Sequence, residues 1–80
     1  MIWIKEAKYI KGFEVQLLFN TGEKGVVNLV DQLKGPIFES LKNPADFSKL
    51  LVNDDLGTVV WENGADFAPE FLYELAKTKK

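Results

Sequence analysis

Carboxylates are the side chains whose spacing in this sequence most directly suggests chemistry. Glu62, Asp66 and Glu70 recur four residues apart around a predicted turn. Paired carboxylates serve as general acid and general base when their environments separate their pKa values. The sequence shows neither a cleft nor such a separation, so a solvated loop is favoured and no catalytic residue is predicted.

Asn53, Asp54 and Asp55 offer a second group of oxygen ligands. A hard cation such as Ca²⁺ requires about six to eight oxygens, usually from an Asp-x-Asp-x-Asn-Gly loop with a distant glutamate, and that loop is missing. The segment 22–25 lacks the Gly-x-x-x-x-Gly-Lys-Ser/Thr pattern of a phosphate-binding loop. We therefore predict a turn at 54–57, no metal ligands and no phosphate loop.

The composition removes several further kinds of site. The 80 residues include no histidine and no cysteine, and arginine is absent as well. Without these side chains there is no disulfide, no imidazole or thiolate metal ligand, and no Ser-His-Asp or Cys-His catalytic group. The sequence favours a non-enzymatic function and implies no cofactor.

Two regions predict strands. Residues 2–30 contain three of them, at 2–10, 13–19 and 24–30, and the second alternates apolar and polar residues as a half-buried strand does. The inner face of the first strand changes phase, which predicts a bulge near Lys5 and Glu6. Farther along the chain, segments 50–53 and 58–62 predict a second hairpin.

Short helices are predicted between these two regions. Asp31 is a candidate N-cap for a helical turn that ends at Lys34, and residues 37–42 form another turn behind Pro36. Asn43 is the predicted N-cap of the next helix, which Pro44 begins. The apolar residues of this region that should face the core are Phe38, Leu41 and Phe47.

A C-terminal helix completes the predicted fold. Segment 68–70 opens it, and its apolar side consists of Phe71, Leu72 and Leu75, with Tyr73 at the edge. The predicted class is α+β: a three-stranded antiparallel meander, short helices, a second β-hairpin and a C-terminal helix. The whole chain, residues 1–80, is expected to form a single small domain.

Four segments spread over nearly the whole chain form a family pattern. They are Trp3 with Ala7 in the first strand, the hairpin segment 19–23, the segment 38–47, and the segment 58–73 from Thr58 to Tyr73, which is the most specific. In these segments the sequence resembles the small bacterial proteins of the domain-of-unknown-function family twenty-four forty-two.

This resemblance implies a small α+β fold and no established activity. Some members of the family are joined to a helix-turn-helix, some are described as similar to molybdopterin-dinucleotide biosynthesis proteins, and some accompany a second small protein as in a toxin–antitoxin pair. This sequence has no appended DNA-binding helices, so we do not expect it to inherit DNA binding from the fused forms.

The segment from Trp61 to Asp66 has two interpretations. In the functional one, Trp61, Asp66 and Tyr73 line a recognition groove in which a carboxylate fixes a polar group of the partner. In the structural one, Trp61 anchors the core, Asn63 and Gly64 make a turn, and Asp66 ties the loop or caps the following helix. The structural interpretation is favoured.

Charge and targeting signals limit the expected partners. The net charge is -2, and residues 50–76 hold six acidic residues and no lysine. Such a balance gives no general attraction to phosphates, so no direct nucleic-acid contact is expected. No signal peptide and no long apolar run are visible, which predicts a cytoplasmic protein without membrane contact.

The leading hypothesis is a non-enzymatic protein-interaction module that binds a protein partner or a second copy of itself. Six Phe, two Trp and two Tyr are many aromatic residues for a domain of this size, so some should remain at a contact surface. The alternatives are an antitoxin-like or transcription-associated regulator, whose acids cover a basic partner, and a cofactor-binding accessory protein. No small-molecule ligand is identified. The candidate contact residues are Trp3, Trp61, Asp66, Phe67 and Tyr73.

Overall fold

Two small antiparallel sheets, joined by short helices and followed by a longer one, make up the computed structural model, which describes residues 1–78. The elements in chain order are β1 (Ile4–Lys11), β2 (Glu14–Phe19), β3 (Lys24–Asn28), two 3₁₀ helices (Val30–Gln32 and Pro36–Lys42), α1 (Pro44–Phe47), β4 (Leu51–Asn53), β5 (Thr58–Val60) and α2 (Pro69–Thr78). The predicted α+β order is confirmed.

The first sheet has the order β1-β2-β3. Its central strand buries Val15, Leu17 and Phe19, as the period-two pattern predicts. The predicted bulge is confirmed, because the register of β1 against β2 shifts between Ile4 and Glu6, and again farther along the strand. The bulge allows Ile4 and later inward-facing residues of β1 to share one buried face.

Strand β1 begins at Ile4 and not at residue 2, because a side chain replaces the strand pairing at its start. The Asn20 side-chain amide donates to the Met1 carbonyl at 2.8 Å, and its Oδ1 accepts from the Trp3 N–H at 2.9 Å. The Asn20 backbone N–H donates to the Trp3 carbonyl at 3.0 Å. One asparagine therefore holds the segment ahead of β1 in a fixed position.

One predicted helix cap is wrong and another is confirmed. Asp31 makes no capping hydrogen bond, since the turn starts one residue earlier, at Val30, whose N–H donates to Asn28 Oδ1 at 3.0 Å. Asn43 does cap α1, with its Oδ1 accepting from the Ala45 N–H at 2.9 Å. Both asparagines satisfy backbone donors that a helix start leaves unpaired.

Strand β5 ends at Val60, two residues earlier than predicted, because the chain folds back on itself. The Trp61 N–H donates to the Ala65 carbonyl and the Gly64 N–H to the Trp61 carbonyl, both at 2.9 Å. Gly64 adopts φ +94°, which a residue without Cβ tolerates. Asp66 then bridges back to Val60, so this turn covers the outer edge of β5.

An aromatic cluster centred on Phe47 fills the space between the sheets and the short helices. Phe47 is fully buried, and its ring contacts those of Phe13 at 5.2 Å, Trp61 at 5.5 Å and Tyr9 at 6.2 Å between centroids. Rings at these separations add stabilisation beyond their buried area. The prediction that Phe38, Leu41 and Phe47 face the core is confirmed.

Helix α2 closes the other side of the core through Leu72, which is fully buried. It packs on β3 where Gly25 leaves room, since a Cβ at that position would lie 3.0 Å from the Ala76 Cβ. Phe71, predicted for the apolar side, is partly exposed. No helix within residues 1–78 is both long enough and apolar enough to cross a bilayer.

Candidate functional site

Trp61, a predicted contact residue, belongs to the core. Its side chain is 4% exposed, and its indole N–H donates to the Phe47 carbonyl at 2.9 Å. The ring also lies 5.9 Å from that of Phe67. The one polar atom of the indole is used inside the protein, which is the usual arrangement for a structural tryptophan.

Phe67 lies in the same cluster. Its ring is stacked on Phe38 at 4.9 Å and on Phe71 at 5.9 Å. Its carbonyl accepts a hydrogen bond from the buried Thr58 hydroxyl. The stack extends from the core to the partly exposed Phe71, so Phe71, and not Phe67, presents this cluster to the surface.

Asp66 is exposed, and its carboxylate forms no hydrogen bond or ion pair with any described residue. The loop is tied by Asn63, which the sequence analysis assigned only to a turn. Asn63 Nδ2 donates to the Ile37 carbonyl at 2.8 Å and to Ser40 Oγ at 3.3 Å, while its Oδ1 accepts from the Ala65 N–H. An Asn-Gly pair is the local sequence signal, but the acceptors of the Asn63 amide lie 26 and 23 residues away.

Tyr73 lies on α2 beside the β2–β3 hairpin. Its hydroxyl donates to Glu23 Oε1, its ring meets Phe19 edge-on at 5.1 Å, and the Lys77 ammonium sits 5.2 Å from the ring centroid. Glu23 also pairs with Lys77 at 3.7 Å. This cluster joins α2 to the hairpin, and within residues 1–78 no ring contact joins it to Trp61 or Phe67.

These contacts shift the pKa values of Glu23, Tyr73 and Lys77. The hydrogen bond from Tyr73, with a second from Thr21, lowers the pKa of Glu23 despite the opposing effect of burial. The same bond to Glu23 raises the pKa of Tyr73, because it stabilises the protonated phenol. The negative charges of Tyr73, in its ionised phenolate form, and of the Glu23 carboxylate raise the pKa of Lys77.

Tyr73→Phe is expected to raise the pKa of Glu23 towards its ordinary value of 4.5, since the largest cause of the depression is removed. A folded-state pKa below the unfolded one stabilises the protein above pH 4.5, and this contribution is lost as the pH falls through the folded-state value. The stability difference between wild type and variant should therefore narrow on acidification. NMR titration of the Glu23 carboxyl measures the pKa; an identical value in both proteins would contradict the assignment.

Trp3 differs from the other aromatic candidates because the residue is 46% exposed. Its backbone is fixed by Asn20, and its Cβ lies against Gly57, where an added Cβ would be only 2.8 Å away. The Gly57 carbonyl accepts from the Ile4 N–H at 2.8 Å, which joins the start of β1 to the β4–β5 turn. Trp3 is therefore an exposed aromatic side chain on a rigid backbone.

Beside Trp3 lies a depression of about 410 Å³, which we call the acidic depression. Leu56, 57% exposed, supplies a second apolar side chain, and no lysine among the described residues lines it. The residues that define it are Ile2, Trp3, Asp54, Asp55, Leu56 and Glu70. Asp54, Asp55 and Glu70 were considered from the sequence as carboxylates, but only Trp3 was a candidate contact residue, and Ile2 and Leu56 were not singled out.

The acidic depression combines apolar surface with carboxylates. Asp54 and Asp55 occupy the predicted turn, which Asn53 organises by accepting from the Leu56 N–H at 3.0 Å. Across residues 1–78, no three acidic side chains are arranged to hold a metal ion. Apolar surface ringed by carboxylates suits a partner that combines an apolar side chain with positive charge.

The comparisons with known proteins give a family and a fold. A family described as "Protein of unknown function (DUF2442)" matches residues 4–78. The crystal structure of "Putative DNA Binding Protein NE0471" from Nitrosomonas europaea ATCC 19718 matches with a TM-score of 0.83 and 22% identity, over 96% of this chain and 50% of that chain. A search of curated proteins gives no match. The chain thus spans about half the length of the Nitrosomonas protein and shares the fold of that half.

The second match corrects one expectation from the sequence. We expected no direct nucleic-acid contact, and a protein of the same fold that is described as DNA-binding contradicts this exclusion. The expectation was based on the net charge of the whole chain. Contacts with phosphates depend instead on where individual lysines lie. The family resemblance, in contrast, is confirmed by a match over nearly all residues. The chain belongs to the DUF2442 family of proteins of unknown function.

Proposed function

We propose that the protein is a non-enzymatic, cytoplasmic interaction module whose acidic depression receives a basic segment of a partner protein. The observation that carries this proposal is the exposure of Trp3 on a backbone fixed by Asn20 and by the β4–β5 turn. A large apolar side chain at the surface costs free energy in water unless a partner covers it.

The apolar part of the acidic depression supports the proposal because it can supply binding free energy. Tryptophan is enriched among the residues that dominate protein interfaces, where it fills a well-packed and desolvated site. Because Asn20 already holds the backbone of Trp3 in place, little conformational entropy is left to lose on binding. Leu56 enlarges the same apolar surface from the opposite segment of the chain.

The charged part supports the choice of partner. Asp54, Asp55 and Glu70 come from two elements and lie around the same apolar surface. Carboxylates at a rim increase the association rate of basic partners and disfavour acidic ones. A segment with lysine or arginine on both sides of a leucine or aromatic residue fits this arrangement, and a basic toxin-like protein is one partner class whose charge complements it.

Selection from a phage-displayed peptide library tests this proposal. Peptides enriched on the wild-type protein are expected to combine basic residues with a leucine or an aromatic residue. Synthetic versions should bind in isothermal titration calorimetry and lose about thirtyfold or more in affinity towards Trp3→Ala, since truncating an anchor at the centre of an interface costs upwards of 2 kcal/mol.

The matched control is Phe71→Ala, because Phe71 is also a partly exposed aromatic residue but does not line the acidic depression. It should leave peptide affinity unchanged, whereas the charge reversal Asp54→Lys/Glu70→Lys should abolish binding. Enriched peptides without basic residues, or equal binding to wild type and Trp3→Ala, would contradict the proposal.

A second candidate function is that of a transcription-associated regulatory domain that contacts DNA. The shared fold with half of a protein described as DNA-binding favours it. The charge-reversed variant separates the two functions in one assay. If the acidic depression is the binding site, the variant should no longer bind the basic peptides. If DNA phosphates are the ligand, the variant should bind duplex DNA at least as tightly as wild type does.

A further inference from the structure

We propose that Asn63 is a modification site, at which the side-chain amide is lost by cyclisation onto the Gly64 nitrogen when the turn at 61–66 opens. The aspartate or isoaspartate that results leaves this turn untied from the 3₁₀ helix Pro36–Lys42. Asn63 does not line the acidic depression, so this proposal goes beyond the proposed function and does not depend on it.

The first observation is the sequence of the turn. Asparagine occupies positions 20, 28, 43, 53 and 63, and Asn63 is the one that glycine follows. In the cyclisation, the backbone nitrogen of the next residue attacks the asparagine side-chain carbon. Glycine obstructs this attack least, because it has no Cβ and adopts the widest range of backbone angles. Asn63 and Gly64 are both exposed, so solvent water reaches the cyclic product.

The reaction consumes water and releases ammonia, and it needs no other reactant. A base from solvent removes the Gly64 amide proton, the nitrogen bonds to Asn63 Cγ, and the Cγ–Nδ2 bond breaks, so that Nδ2 leaves as ammonia with a proton taken from solvent. Water then adds to one of the two carbonyl carbons of the cyclic imide. Cleavage of the bond from the Gly64 nitrogen to Cγ gives aspartate. Cleavage of its bond to the main-chain carbonyl carbon gives isoaspartate, in which the chain runs through the side chain.

The second observation is that the fold holds both reacting groups. The Gly64 N–H donates to the Trp61 carbonyl at 2.9 Å, so the proton that must leave is engaged in a hydrogen bond. Asn63 Nδ2 donates to the Ile37 carbonyl at 2.8 Å and to Ser40 Oγ at 3.3 Å, and its Oδ1 accepts a further hydrogen bond within the turn. Cyclisation therefore requires the turn to open first.

Opening of this turn is a local event. Its two anchors, Trp61 and Ala65, are buried, whereas the residues between them are exposed. Backbone hydrogen bonds at an exposed tip open more readily than those of core strands. The fraction of time for which the tip is open sets the rate of cyclisation in the folded protein, so modification of Asn63 records the opening of the turn.

Loss of the amide removes the group that ties the turn to the rest of the fold. Nδ2 is the donor in both long-range hydrogen bonds of Asn63, and a carboxylate at neutral pH has no proton to donate. Next to the Ile37 carbonyl, the carboxylate would bring two acceptors together. Isoaspartate also adds a carbon to the main chain inside the turn, so either product disfavours the closed arrangement.

Incubation at neutral pH with and without guanidinium chloride, followed by trypsin and mass spectrometry, tests the cyclisation. Residues 50–76 contain no lysine, so Asn53 lies on the same tryptic peptide as Asn63 and is an internal reference. In denaturant, Asn63 should lose its amide about tenfold or more faster than Asn53, because glycine leaves the attack unobstructed. Asn63→Gln should stay unmodified, since its longer side chain would have to form a larger ring.

Without denaturant, the rate at Asn63 should fall at least as much as hydrogen exchange of the Gly64 N–H does, because the same opening frees this proton for both reactions. Hydrogen exchange measured by NMR gives that factor independently. Asn63 that reacts no faster than Asn53 in denaturant overturns the proposal. So does a rate in the folded protein that equals the rate in denaturant.

Asn63→Asp tests the untying, since it installs the aspartate product directly. It should shift the folding equilibrium about fivefold or more towards the unfolded state, because the hydrogen bonds to Ile37 and Ser40 are lost. The matched control is Asn43→Asp, the same replacement at a helix cap, where aspartate accepts from the Ala45 N–H as asparagine does. It should leave the equilibrium unchanged in urea denaturation, and equal stability of the two variants overturns the proposal.

Discussion

Trp61→Ala is expected to lower the free energy of unfolding by about 3–5 kcal/mol, as removal of a buried aromatic side chain does. The side chain is 4% exposed, packs against Phe47 and Phe67, and leaves the Phe47 carbonyl without its donor when it is removed. An 80-residue domain has about 4–12 kcal/mol of stability in total. Urea denaturation should therefore show that the variant has lost a large part of the free energy of unfolding of the wild type.

Trp3→Ala is the matched control, since the same residue type is removed from a site that is 46% exposed. It should cost about 1 kcal/mol, because roughly half the apolar surface is already in water and the backbone hydrogen bonds to Asn20 remain. Trp61→Phe separates packing from the lost donor and should fall between the two. Equal losses for the two alanine variants would contradict the division into a structural and a surface tryptophan.

The sequence predicted only part of that division, since it favoured Trp61 as a core anchor and yet kept both tryptophans among the candidate contact residues. Trp3 and Trp61 both sit next to β-branched or aliphatic residues at strand ends, and local pattern treats them alike. Long-range contacts distinguish the two residues. The Trp61 indole N–H donates to the Phe47 carbonyl, 14 residues away, and Trp3 packs against a turn that is distant in the sequence. Burial of a single aromatic residue depends on such contacts, which periodicity does not encode.

The elements themselves were predictable because their signals are local. The alternation that buries Val15, Leu17 and Phe19, and the Asn-Pro start of α1, each act within a few residues. The boundary at Val60 differs from the prediction because hydrogen bonds within the 61–66 turn end the strand. The boundary at Ile4 was not predictable, since Asn20 sets it through hydrogen bonds to residues 17 and 19 positions away. The acidic depression was missed for the same reason: its residues come from three separate segments that only the fold brings together.

The contact between Gly57 and Trp3 joins two of those segments, so it links stability to the candidate site. Gly57 adopts φ +67°, and an added Cβ would lie 2.8 Å from the Trp3 Cβ. The neighbouring backbone has little freedom to move away. The Gly57 carbonyl accepts a hydrogen bond from the Ile4 N–H, and Asn20 Oδ1 accepts one from the Trp3 N–H. An alanine at this position therefore meets both backbone strain and steric overlap.

Gly57→Ala is expected to lower the free energy of unfolding by about 2–5 kcal/mol, the sum of about 1–2 kcal/mol for a left-handed alanine and about 1–3 kcal/mol for overpacking. Gly12→Ala is the control, since Gly12 has φ +53° but nothing within 4 Å of its added Cβ, and it should show only the conformational part, about 1–2 kcal/mol. Urea denaturation measures both. Since the overlap displaces Trp3, Gly57→Ala should also weaken peptide binding, while Gly12→Ala should not; equal losses of stability with intact binding would show that Gly57 serves only its turn.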